Sequence, residues 1–425
     1  MNCIPRLDSR ALRLLAIAAL AFMPGLSPTA GVQANSASPS ALVYRIDYIV
    51  TPEPKSGGAW VELKLTQSSG LLRQVDMRAP AGRISRATGD GDIVRANERL
   101  VWNPPRDGGS LRWFALIDHL RNGRSYDALI TSDWAIFRAE DVIPQAATRT
   151  VRGAKSATTL RFELPAGWSS VTEYFGDDDS YAVANPQRRY DRPAGWILLG
   201  DIGVRFDRIA GVRVNVAAPR NHGMRRNDVL AFLNWTLPEV IRVVPGFTDR
   251  LTIVGAGDPM WRGGLSGPRS LFLHADRPLI SENSTSTLLH EILHVAMGRG
   301  AGDGMDWIVE GIAEYYSLTI LHRSGTITDK RYADALQKQA DWGASIEQLC
   351  VPVASGAVTA RAVSIMHSLD SEIRKSSKKN LDDVLAAIIA SGKRITLTDL
   401  ANIVERITGS KPRSLRTGIL PGCDR

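Results

Sequence analysis

The chain has 425 residues, 44% hydrophobic and 23% charged, a balance that excludes a disordered or fibrous protein and is long enough for two or more hydrophobic cores. Its formal charge of +8 comes without any Lys/Arg run interleaved with aromatics, which argues against nucleic-acid binding and for a basic solvated surface.

Residues 1–34 read as a secretory signal. Arg6, Arg10 and Arg13 form a basic start, Leu14 to Phe22 is an unbroken apolar run, and Pro28-Thr29-Ala30 and Val32-Gln33-Ala34 are small-residue cleavage sites. A membrane anchor would need about 20 apolar residues, more than this run offers, and no later stretch is apolar enough to span a bilayer. The expectation is an exported protein, periplasmic or secreted, with no transmembrane segment after signal removal. Loss of the signal takes away three arginines and one aspartate and leaves a charge of +6. Residues 35–40, rich in serine, read as a flexible lead-in. Cys3 leaves with the signal. Cys350 and Cys423 remain, either as one disulfide or as two separate thiols.

Residues 41–208 read as a β-rich N-terminal domain. Trp60 to Leu65 and Leu160 to Leu164 alternate apolar and polar residues, and clusters such as Asn103 to Gly109 and Gly176 to Ser180 break the runs. Residues 209–345 read as a mixed α/β domain. Strands are expected at Val212–Val216, Leu251–Val254 and Ser270–His274, the last preceded by a turn-rich Gly263–Pro268, and a helix over Asn227–Val244. From Ser284, read as an N-cap, the chain is expected to be helical, with stops at Gly298 and Gly300. A second helix is expected from about Met305, then others at Asp329–Trp342, Ala362–Arg374, Leu381–Ala390 and Thr398–Thr408, with Gly409 as C-cap. Residues 346–425 form the C-terminal helical part.

The chemistry lies in His290-Glu291-Ile-Leu-His294. Residues i and i+4 share one helix face, so both imidazoles reach one metal ion. Glu291 lies beside the first ligand, where a metal-activated water would sit, and can take its proton. A catalytic zinc needs a third protein ligand. Trp307-Ile-Val-Glu310-Gly-Ile-Ala-Glu314-Tyr-Tyr316 supplies two carboxylates one turn apart: one can bind the metal, the other can orient an imidazole. The glycine-rich link Gly298–Gly304 lets the second helix fold back beside the first.

HEILH followed by WIVEGIAEYYS resembles the gluzincin metallopeptidases, the thermolysin clan, and most closely the glycyl aminopeptidase family and its membrane-alanyl-type relatives. The resemblance implies an α+β fold: an N-terminal antiparallel β-domain, then a thermolysin-like α/β zinc peptidase domain ending in a helical bundle. It implies Zn2+ as cofactor, Glu310 as third ligand, Glu314 behind His290, and a peptide or protein as substrate. Leu381-Asp-Asp-Val-Leu and Thr396 to Gly409 are similar to the family's C-terminal helical part.

Three departures stand out. Relatives carry, on a Gly-rich edge strand, a Glu that binds the substrate's α-amine, whereas here the stretch is Gly263-Gly264-Leu-Ser266-Gly-Pro. Their oxyanion-stabilising Tyr aligns with Thr359-Ala-Arg-Ala362, and no Tyr follows Tyr332, leaving Tyr315, Tyr316, Tyr332, His274 or His367 as substitutes. Their usual PDZ domain has no counterpart after the helical part. Gly264, Ser266 and Ser270 are the expected substrate-binding positions, with strand Ser270–His274 offering an edge to an extended peptide. Ser266 has no charge to hold an ammonium, which predicts that internal or blocked bonds are cut at least as well as free aminoacyl bonds. Glu282 is the nearest carboxylate that would compensate. The expected reaction is zinc-dependent peptide hydrolysis with Glu291 as general base. The competing expectation is an envelope protein of the same fold that kept the metal and lost turnover.

Overall fold

The computed structural model describes residues 42–184 and 190–423. The expected signal peptide and lead-in lie outside the described residues. Ala41–Arg425 forms one compact unit.

The first half is built from short strands whose alternation places every second side chain inward. In strand Gly58–Thr66, Val61, Leu63 and Leu65 are buried while Lys64 faces out. This strand pairs antiparallel with Val43–Glu53 and with Gly108–Leu116 inside a seven-stranded sheet. The sheet has one parallel pair, Val43–Glu53 with Lys155–Phe162. A four-stranded and a five-stranded sheet complete this part, around a core that includes Trp102, Trp113, Tyr44 and Tyr48.

The second half opens with the hairpin Ile202–Ile209 and Val212–Pro219. Helix Arg226–Val243 then crosses over to strand Arg250–Val254, which pairs parallel with Val212–Pro219 and, on its other side, with Ser270–Leu273. Such a crossover is what parallel pairing requires. Strand Ser270–Leu273 is buried throughout because strands flank it, helices cover the Leu271 and Leu273 face, and Phe272 packs against Trp134, Trp196 and Leu198 of the first half. Gly264–Gly267, turn-rich in composition but matched by the resemblance to an edge strand, is a strand and forms the edge of this sheet, antiparallel to Ser270–Leu273.

Helices follow at Thr287–Met297, Asp306–Arg323, Asp329–Gly343, Ala357–Ser376, Leu381–Ser391 and Leu397–Thr408. The first is capped by Ser286, whose side chain accepts from the Leu289 amide, rather than by Ser284. Ser284 instead has a left-handed backbone, φ 63°, and accepts from Arg331 Nε at 2.8 Å. Gly298 ends the helix in the left-handed conformation, as Gly409 does for the last one. No helix among the described residues is long and apolar enough to cross a membrane.

Two features tie distant parts together. The buried Glu173 carboxylate accepts from Arg269 Nε and Nη2 at 2.5 and 2.7 Å, linking the first half to the loop before strand Ser270–Leu273. Cys350 and Cys423, 73 residues apart, are joined in a disulfide.

Candidate metal centre and cleft

Helix Thr287–Met297 buries Leu288, Leu289, Ile292 and Leu293 against the core, which turns His290, Glu291 and His294 toward the opposite side. Helix Asp306–Arg323 packs beside it and is held close to helix Ala357–Ser376 at Gly311. A Cβ on Gly311 would lie 2.7 Å from the Ala362 Cβ, so the residue after Glu310 must be small. This packing brings Glu310 up to the two histidines.

The three ligand candidates converge. His290 Nε2 and His294 Nε2 are 3.0 Å apart. The Glu310 carboxylate oxygens lie 3.3 Å from the first and 3.2 Å from the second. A tetrahedral zinc with ligands at about 2.0–2.1 Å has ligand–ligand edges of about 3.3 Å, so donor types and spacing both fit that ion. Glu314 stands behind the set, its Oε2 3.0 Å from His290 Nδ1, where a carboxylate fixes the ring's orientation and tautomer.

Burial alone would discharge His290. Hydrogen bonds to Glu310 and Glu314 outweigh it and raise its pKa well above the ordinary value. Burial likewise works against the charge on Glu310, but the two histidines hold its carboxyl far below the usual carboxylate range. The cluster is thus a network of two imidazoles and two carboxylates held together by short polar contacts.

Glu291 is buried and faces the same cleft, a space of about 420 Å³. It packs against the edge strand: a Cβ on Gly264 would meet Glu291 Cγ at 2.6 Å and Thr287 Cγ2 at 2.8 Å. Only glycine lets the strand come this close.

The other expected positions divide. Gly264 lines the cleft. Ser266 is half-buried on the edge strand and lies outside the cleft lining. Ser270 is fully buried: its hydroxyl accepts from the Trp196 amide at 2.8 Å and donates to the Pro268 carbonyl at 3.0 Å, which is a structural role. Its strand lies inside the sheet, so the edge open to an extended peptide is Gly264–Gly267.

None of the five substitute oxyanion residues lines the cleft. Tyr315 and Tyr316 are buried and donate to Asp370 and Asp382. Tyr332 meets Thr319 at 3.2 Å. His274 is buried beside a neighbouring cavity, and His367 is exposed. Thr359 does line the cleft. Sequence reasoning missed Trp261, Arg277, Thr287, Gln339 and Trp342, which complete the walls. They come from loops and helices distant in sequence and carry no motif of their own.

Residues 290–360 match the model of the M61 glycyl aminopeptidase family. No curated protein matches the chain at a significant level. Among solved structures, the chain resembles an aminopeptidase N family protein from Idiomarina loihiensis, with a TM-score of 0.64 and 16% identity over 81% of this chain and 70% of that one. It also resembles an M1 zinc metallopeptidase from Deinococcus radiodurans, TM-score 0.57 and 14% identity, over 91% of this chain and 95% of that one. A yeast LTA4 hydrolase in complex with bestatin gives a TM-score of 0.57 and 14% identity over 90% of this chain and 68% of that one. Identities this low speak for the fold, and the matched segment contains His290, His294 and Glu310.

Proposed function

We propose, taking as premise that this chain is a gluzincin-type zinc metallopeptidase with an M61-type metal segment, that it hydrolyses peptide bonds using His290, His294 and Glu310 as zinc ligands and Glu291 as general base. The observation that carries this is the convergence of the two imidazole Nε2 atoms, 3.0 Å apart, on the two oxygens of Glu310, at 3.3 and 3.2 Å, beside the buried carboxylate of Glu291. Zinc held there would polarise a carbonyl and bring the pKa of a water toward about 7. Glu291 then takes the proton from the attacking water and returns it to the leaving nitrogen. Glu314 keeps His290 in the orientation that points Nε2 inward. Walls from Trp261, Trp342 and Gln339 reduce the water around the reacting bond. The edge strand Gly264–Gly267 offers backbone groups to an extended peptide. Export to the periplasm or medium belongs to the same proposal, resting on the basic and apolar N-terminal pattern and in keeping with the Cys350–Cys423 disulfide.

A second reading, a zinc-binding envelope protein with little turnover, is favoured by one observation: neither Tyr nor a carboxylate at position 266 lines the cleft. The loss of one oxyanion donor typically costs on the order of 3 kcal/mol.

The ligand assignment is tested by elemental analysis. The purified protein should hold one zinc per chain, and a His290→Ala/His294→Ala variant should hold essentially none. Stoichiometric zinc in the double variant would refute the assignment.

A further inference from the structure

We propose that Arg277 is the specificity-determining residue of the cleft and binds a substrate carboxylate. This rests on the peptidase reading above and names the class of peptide it would take. Arg277 lines the cleft that holds His290, Glu291 and Glu310. Its Nε and Nη2 donate to Thr287 Oγ1 at 3.2 and 2.7 Å. Thr287 is the first residue of the metal-binding helix, and its Cγ2 faces Gly264 of the edge strand. The guanidinium is therefore one residue removed from both the edge strand and Glu291.

Arg277 is exposed at the cleft wall, and no ion pair among the described residues employs it. The neighbouring Asp276 lies instead 3.8 Å from Arg262. The N-terminal end of a helix carries partial positive charge, so a guanidinium beside it gains nothing from the helix. An arginine with one edge fixed and no anion of its own is preorganised to take a carboxylate from outside.

The surroundings supply room. Arg277 also lines a neighbouring cavity of about 520 Å³, whose wall combines the apolar Met224, Val229 and Leu273 with the charged Arg225, Asp228 and Asp276. A Glu or Asp side chain, or a chain-terminal carboxylate, reaching past the cleft would place its methylenes on apolar walls and its charge on Arg277. Of the charged groups that line the cleft, Glu291, Glu310 and Glu314 serve the metal and its water in the proposed chemistry and Arg262 is paired with Asp258, which leaves Arg277 to meet an anionic group.

The test uses fluorescent peptides acetylated at the N-terminus. One set carries a single Glu stepped through each position, with Gln at the same positions as the uncharged match. A second set compares a free C-terminal carboxylate with its amide. Binding is read by anisotropy on zinc-loaded Glu291→Gln protein, and turnover on the unaltered enzyme. At one position Glu, or the free C-terminus, should bind about 10- to 100-fold tighter than its neutral match, the usual worth of a charge-assisted pair. Adding Arg277→Gln should reduce that ratio to about one, and Arg277→Lys should keep part of it. The proposal is overturned if no position shows a preference in the protein that retains Arg277, or if the preference survives Arg277→Gln. If neutral peptides are cut without any charge preference, the peptidase reading stands and this one falls. If Arg277-dependent binding occurs without any turnover, the reverse holds.

Discussion

Ser266 offers only a neutral hydroxyl on the edge strand that borders the cleft, outside the cleft lining itself. A substrate ammonium desolvated there without an anion would be costly, so a free N-terminus should bring little gain. Comparing one peptide with a free and an acetylated N-terminus should give similar kcat/KM values. Fast cleavage of the free form only would show that another residue binds the amine. At this scale the sequence was most legible where chemistry is local: His290, Glu291 and His294 share one turn, and Glu310 and Glu314 share another. Arg277 and Trp342 were illegible, because the walls of a cleft are assembled by the tertiary fold. Ser284 and Ser286 both satisfy the cap preference, and only the backbone decides between them.

The edge strand and helix Thr287–Met297 set the working distance of the candidate site. A methyl group on Gly264 would lie 2.6 Å from Glu291 Cγ, so strand or carboxylate must move. Gly264→Ala should keep its zinc but lose about 100-fold in kcat/KM, the scale expected for a misplacement of about 1 Å. Wild-type kinetics in that variant would show that Glu291 does not depend on this contact. The same close packing explains why periodicity read Gly264–Gly267 as turn-rich: Gly264 packs against the helix and Gly267 against Trp196, and a four-residue strand is too short for alternation to register. The long amphipathic helices were legible within a few residues. The exception was Ala357–Ser376, which begins five residues before its expected start at Ala362, because Gly356 and its flanking small residues give no strong start signal.

At the scale of the molecule, the alternating first half and helical second half were visible in the hydrophobic period. The parallel pairing of Val43–Glu53 with Lys155–Phe162 was not, since it joins strands a hundred residues apart. The Cys350–Cys423 bridge, left open by spacing alone, closes a 73-residue separation and should stabilise by about 4 kcal/mol in the chain-entropy model. Cys350→Ser/Cys423→Ser protein should show a correspondingly lower unfolding midpoint in urea with an unchanged zinc content. An unchanged midpoint would mean that the bridge does not restrict the unfolded chain. The proposed chemistry requires Glu291 to act as a base beside an intact metal centre. The most direct measurement is zinc content together with turnover of a peptide library by the wild type and by Glu291→Gln. We predict one zinc in both proteins, peptide cleavage by the wild type, and a loss of at least about 100-fold in the variant. Equal turnover by the two proteins, or no turnover by a fully zinc-loaded wild type, would contradict it.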